Sequence, residues 1–80
     1  MREGTIGWAV EQMQDGERVC RSGWNGKGMY VYLIRSWSGA ERPNPSTTAP
    51  FVAMKTADDK IVPWLCSQTD LLALDWELAR

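Results

Sequence analysis

Between residues 5 and 15 the apolar positions Ile6, Ala9, Val10 and Met13 recur at helical spacing, while Glu11, Gln12 and Gln14 fall on the other side. That spacing predicts an amphipathic helix of about three turns. Thr5 is suited to cap its first turn, and Gly16 to end it in the left-handed conformation. Trp8 lies off the stripe, so its ring packs over a sheet edge or meets a neighbouring subunit. Residues 17–21 alternate polar and apolar and predict a short strand, followed by a glycine-rich break over 22–28. The run Met29-Tyr30-Val31-Tyr32-Leu33-Ile34 is β-branched and aromatic at both parities, the composition of a central strand covered on both faces. Residues 51–56 and 60–66 read as a hairpin around the turn Ala57-Asp58-Asp59. Pro63 cannot donate to a ladder, so the second of these strands belongs at an edge, leaving Trp64 and its neighbours open to another chain. Ser67-Gln68-Thr69-Asp70 resembles a capping box that starts a short helix through Leu74, and residues 75–78 close as a final strand.

The pattern therefore predicts an α+β fold: a small antiparallel sheet with an N-terminal helix packed on it and a short C-terminal helix. Residues 1–80 form one domain, because 80 residues support only one small core. Residues 37–50, with three prolines, are a variable loop. With 44% hydrophobic residues and five tryptophans the chain is too apolar to stay disordered. So many aromatic and Met side chains on so small a domain suggest aromatics buried between subunits, the alternative being a tryptophan-rich monomer core. No apolar run reaches the length of a membrane span, and no secretory layout opens the chain, so a cytoplasmic protein is expected.

Charge and residue choice narrow the chemistry. A formal net charge of -1 argues against a general nucleic-acid binder, so an anionic ligand must be gripped locally. The chain has no histidine, which removes the commonest general base and metal ligand. Cys20 and Cys66 fit neither a redox pair nor a zinc site and read as reduced, buried packing residues, with Arg21 as a cationic neighbour for the Cys20 thiol. The acids Asp58, Asp59, Asp70 and Asp75 carry little weight as a metal site, and no cofactor is expected.

Two segments carry candidate ligand chemistry. In Ser22-Gly23-Trp24-Asn25-Gly26-Lys27-Gly28 the glycines admit close backbone approach, Lys27 supplies a point charge, and Trp24 offers a π face for a nucleobase. Asn25 is suited to a base edge or a ribose hydroxyl. The plain structural alternative is a tight turn whose Trp24 anchors the loop to the core. In Trp64-Leu65-Cys66-Ser67-Gln68-Thr69-Asp70 a strand runs into a helix start whose amides and hydroxyls suit anionic oxygens, although Asp70 repels phosphate and also serves as a simple cap.

At these segments the chain resembles a known family. The run Arg21-Ser22-Gly23-Trp24-Asn25-Gly26-Lys27-Gly28-Met29-Tyr30 is followed by Met54-Lys55-Thr56-Ala57-Asp58, Val62-Pro63-Trp64, Ser67-Gln68-Thr69-Asp70-Leu71-Leu72-Ala73 and Asp75-Trp76. This ordered series resembles a phage and prophage family, formerly a domain of unknown function, that includes the second described type of anti-Thoeris protein. Asp59 stands where many relatives have glycine, and residues 37–50 fall in a region of variable length. The resemblance implies a non-enzymatic sponge: a small homotetramer in the infected bacterial cell that sequesters cyclic ADP-ribose-type immune signals. Some relatives look able to take cyclic di- or trinucleotides at separate sites. By the same implication Trp24 and Asn25 meet adenine and ribose, Gly26, Lys27 and Met29 flank them, and Ser67, Gln68, Asp70 and Asp75 form the opposing wall. Two rivals stand beside this reading: an enzyme that cleaves the nucleotide signal, and a protein or oligonucleotide interaction module without a small-molecule pocket.

Overall fold

The computed structural model describes residues 2–24, 27–35 and 49–79. Its elements run α1 (Ile6–Gln14), β1 (Val19–Arg21), β2 (Tyr30–Ile34), β3 (Phe51–Lys55), β4 (Ile61–Pro63), α2 (Gln68–Leu72) and β5 (Trp76–Leu78). The five strands form one antiparallel sheet in the order β4-β3-β2-β1-β5, with β2 at its centre, so the α+β architecture is the expected one. Most of the 37–50 loop lies outside the described residues.

Local chemistry explains where α1 starts and stops. The Thr5 hydroxyl accepts the Trp8 amide at 3.2 Å, satisfying a first-turn donor. At the other end Gly16 sits at φ +90°, and the amides of Gly16 and Glu17 donate to the carbonyls of Met13 and Gln12, each at 3.0 Å. This pair of bonds is a Schellman ending. The helix lays Ala9 and Met13 on Val19, Val31 and Trp76, with Ile6, Leu33, Val52 and Met54 packed around them. Val10, expected on the same stripe, is instead exposed, so the buried seam is narrower than the apolar spacing suggested. Trp8, off the stripe, packs against this core within the chain.

Register divides the sheet into two faces, because residues directly opposite across a ladder share a face. The pairs Val19↔Val31, Val31↔Met54 and Leu33↔Val52 point toward α1. The opposite face carries Tyr30, Tyr32, Ile34 and Phe51, all half-buried, with Ala53 fully buried opposite Tyr32 and Pro63. Arg18 lies 4.8 Å over the Tyr30 ring on this face. The described residues therefore leave the second face of β2 only half-covered, where the composition predicted full cover.

The β3–β4 hairpin closes as expected. The Thr56 amide donates to Lys60 at 2.8 Å, the Lys60 amide returns to the Thr56 hydroxyl at 3.0 Å, and Asp59 takes the left-handed turn position at φ +65°. β4 lies at the sheet edge, as Pro63 required, but ends there rather than at Cys66. Trp64 still donates its amide to Val52 at 3.0 Å, yet its ring packs edge-on against Trp76, which carries the chain across the α1 face.

Ser67 caps α2 by accepting the Asp70 amide at 3.1 Å. The helix ends at Leu72, two residues before the expected limit, because Ala73 turns extended and swings Trp76 into pairing with β1. Gly4 braces that turn. Its carbonyl accepts the Trp76 amide at 3.0 Å, its φ is +94°, and a Cβ there would lie 2.5 Å from the Leu74 carbonyl oxygen. Among the described residues the tryptophans follow the alternative of a tryptophan-rich core within the chain. Trp8, Trp24, Trp64 and Trp76 pack within the chain, and the large exposed apolar side chains among the described residues are aliphatic: Val10 on α1, Leu65, Leu71, Leu72 and Leu74 around α2, Ile61 and Val62 on β4, and Leu78 on β5.

Candidate functional site

The site grows from the parity of β1. Val19 faces the core, so Arg21, two residues on, faces the same way at the end of the strand opposite Trp76. A guanidinium brought this far out of water requires acceptors, since an unpaired buried charge is costly. Asp75 and Asp70 supply them. Arg21 Nε donates to Asp75 Oδ1 at 2.7 Å and Nη1 donates to Asp70 Oδ1 at 2.8 Å. The second Asp75 oxygen accepts the Ser22 hydroxyl at 3.2 Å and the Gly23 amide at 2.9 Å. Asp70 Oδ1 also accepts the Trp24 indole N–H at 3.1 Å, and the Asp70 carbonyl accepts the Trp76 indole N–H at 3.0 Å.

The result is a polar knot beside a tryptophan cluster. Trp24 meets Trp76 with ring centres 5.4 Å apart at 80°, and Trp64 meets Trp76 from 5.9 Å at 82°. These edge-to-face contacts suit the ring quadrupoles. Trp76 is buried, whereas Trp24 is half-buried, so part of its ring remains open.

Electrostatics follow from the contacts. Burial works to raise the Asp70 carboxyl, but hydrogen bonds from Arg21, Trp24 and Ser67 together with the Arg21 charge outweigh it and hold the group below its ordinary value. The Arg21 hydrogen bond is the main cause that lowers Asp75, opposed by burial and helped by the Gly23 amide, the Arg21 charge and the Ser22 hydroxyl. The hydrogen bonds that Arg21 donates to Asp75 and then to Asp70 raise Arg21 in turn. Both cysteines are free and half-buried rather than fully buried. Burial pushes the Cys20 thiol up, reinforced by Glu77 and Asp75, and burial with Asp70 does the same to Cys66. Arg21 therefore does not activate Cys20: its fork is committed to the acids, and Cys20, alternating with it along β1, points to the other face.

The expected site residues separate into groups. Trp24, Asp70 and Asp75 come together in the knot, with Ser67 joined through its cap. Gln68 is exposed at the first position of α2 beside it. Lys27 is exposed and Met29 half-buried at the far end of the loop, where Lys55 Nζ donates to the Gly28 carbonyl at 3.0 Å. No hydrogen bond or ion pair among the described residues links Lys27 or Met29 to the knot. Asn25 and Gly26 lie outside the described residues. Sequence reasoning missed Arg21 as a site residue, and with it the tie through Ser22 and Gly23. A signal was present, because the alternation that buries Val19 directs Arg21 inward, where a cation demands acids. Chemically, the knot offers ionised carboxylates held by Arg21, which suits holding a shape more than shuttling protons.

The sequence model of one family, the Thoeris anti-defense 2-like domain, matches residues 4–79, a span that contains every helix and strand described above. A protein of Bacillus phage SP01 named "Thoeris anti-defense 2" is 39% identical over 82 residues, covering 92% of this chain and 92% of its own.

Proposed function

This chain belongs to the Thoeris anti-defense 2-like family, and on that premise we propose that it blocks Thoeris immunity by binding and withholding the signal. The ligand is a cyclic ADP-ribose-type nucleotide, taken up intact in the infected cell by a homo-oligomer, a tetramer. Trp24 and Asn25 hold adenine and ribose, and Lys27 offers charge to the phosphates with Gly26 and Met29 alongside. Ser67 and Gln68 face the ligand from the other side on the framework of Asp70 and Asp75.

The observation that carries this reading is the family match over nearly the whole chain, combined with a half-open indole fixed at a glycine-containing bend. Binding rather than cleavage is favoured by the absence of histidine and by carboxylates and thiols held away from useful proton exchange. Self-association is favoured by the aliphatic surface around α2: Leu65 is 90%, Leu72 73% and Leu74 66% exposed. From Trp64 to Leu74 the one charge is that of Asp70, already met by Arg21, so two copies can approach there without repulsion. Withholding a signal from its effector calls for nanomolar affinity, about -12 kcal/mol.

Incubating protein with signal, denaturing the protein and analysing the released nucleotide tests the reading. Intact ligand is expected, and a cleavage product overturns it in favour of an enzyme. Calorimetry with cyclic ADP-ribose isomers and cyclic dinucleotides is expected to give a saturable trace with at least one ADP-ribose isomer; flat traces throughout favour an interaction module. Trp24→Ala is expected to lower affinity by 10-fold or more, in line with about 1–3 kcal/mol per stacked base, while leaving the oligomer's mass unchanged.

A further inference from the structure

We propose that Arg21 is the positioning residue of this site, setting the distance and angle between its two walls. The inference rests on the binding reading above and names a residue on neither wall. Arg21 reaches two segments at once: Asp70 lies 49 residues away in sequence and Asp75 lies 54 away. Each carboxylate then passes that placement to the loop. Asp75 holds the Ser22 hydroxyl and the Gly23 amide with one oxygen while Arg21 holds the other. Asp70 offers Trp24 the same oxygen that Arg21 grips, so the direction of the indole N–H follows from where the guanidinium fixes that atom.

The chemistry is specific to arginine. A planar fork presents Nε and Nη1 in fixed directions, whereas a lysine ammonium is a single rotatable point that cannot set two carboxylates at a defined angle. With its side chain only 16% exposed and both named donors used, Arg21 is framework rather than a phosphate ligand. Asp70 and Asp75 become framework for the same reason. Their charges turn inward to the guanidinium, which lessens the repulsion that acids on a nucleotide-facing wall would otherwise cause.

The test compares wild type, Arg21→Lys and Asp75→Asn as full chains. The readouts are cyclic ADP-ribose isomer calorimetry, mass by light scattering, indole emission and hydrogen exchange at the Gly23 amide. Arg21→Lys is expected to stay folded with the wild-type mass, to bind at least 10-fold more weakly, to shift indole emission to the red and to exchange the Gly23 proton faster. Asp75→Asn, which keeps the side chain's shape but removes the charge and turns one of its two accepting oxygens into a donor, is expected to move the same readouts in the same direction. A folded Arg21→Lys protein with affinity within twofold of wild type overturns the proposal. If wild type binds no nucleotide, the binding reading fails by itself. Emission and Gly23 exchange then still judge Arg21, and identical values in wild type and Arg21→Lys overturn its positioning role independently.

Discussion

Asp70 and Leu71 are neighbours on one five-residue helix, yet they solve opposite problems. Asp70 turns inward, where its carboxylate and carbonyl take up Arg21, Trp24 and Trp76. Leu71, with Leu72 and Leu74 after it and Leu65 before it, turns apolar surface outward. The polar side of α2 is completed within the chain and the apolar side is not. Hydrogen bonds and ion pairs are satisfied by a few atoms at defined distances, which one small domain can arrange. Apolar burial scales with area, and a chain this short runs out of area to offer. The first side therefore governs whether the loop and α2 keep their relative placement, and the second governs what the folded chain does with other copies of itself.

The comparison is most strongly challenged by Arg21→Ala. It leaves two part-buried carboxylates facing each other, with side chains 14% and 31% exposed. A loss of about 2 kcal/mol is expected from charge-assisted bonds of this exposure, equivalent to roughly 8–16 °C in a domain of this size. Thermal unfolding followed by near-ultraviolet circular dichroism measures it, and a change below a few degrees shows that the polar side does not hold the fold.

Acid addresses the same side. Both carboxylates sit below the ordinary 3.8 when folded, so on acidification the unfolded chain binds protons first. Their stabilisation is fully present above the unfolded value and is lost as pH falls through the folded values. The unfolding midpoint is expected to drop as pH falls below about 4, and Asp75→Asn to make that drop shallower. Equal slopes in the two proteins would show that Asp75 is not one of the groups responsible.

Leu72→Glu probes the apolar side. Leu72 is exposed in the single chain, so intrinsic stability is expected to change by no more than about 0.5 kcal/mol, while the mass seen in light scattering falls. Unchanged mass at all concentrations would mean that the α2 leucines are not the surface through which copies meet. Asp59→Gly, in the β3–β4 turn, sets the smallest expected effect. Glycine relieves a left-handed strain of roughly 1–2 kcal/mol, offset by the lost Lys55–Asp59 contact at 2.7 Å and by glycine's greater entropy when unfolded. A gain of a few tenths of a kcal/mol in urea unfolding is expected, with no change in mass or nucleotide affinity; destabilisation would show that the ion pair outweighs the strain.

Much of the fold is legible in the sequence. The spacing of Ile6, Ala9 and Met13, the cap at Thr5 and the glycine at 16 defined α1 because these are short-range effects. Pro63 identified an edge strand through one missing donor. Boundaries are less legible: α2 stops at Leu72, where Ala73 turns extended and β5 pairs with β1, a long-range pairing that no local window contains. The candidate site was half legible. Trp24, Ser67, Asp70 and Asp75 converge, but the residue that joins them, Arg21, shows in sequence only as a neighbour of Cys20.

By itself, the amino-acid sequence determined the element types, the edge position of β4, the poverty in acid–base chemistry and the kinship of the chain. These depend on backbone propensity, side-chain inventory and ordered motifs, all carried by neighbouring residues. Tertiary structure alone decided which acids answer Arg21, that Trp24 is tied by its own N–H, and that the leucines around α2 are left facing outward. Each of those outcomes is a competition among partners some 50 residues apart. It is resolved by which side chains reach one another when β5 lies down beside β1.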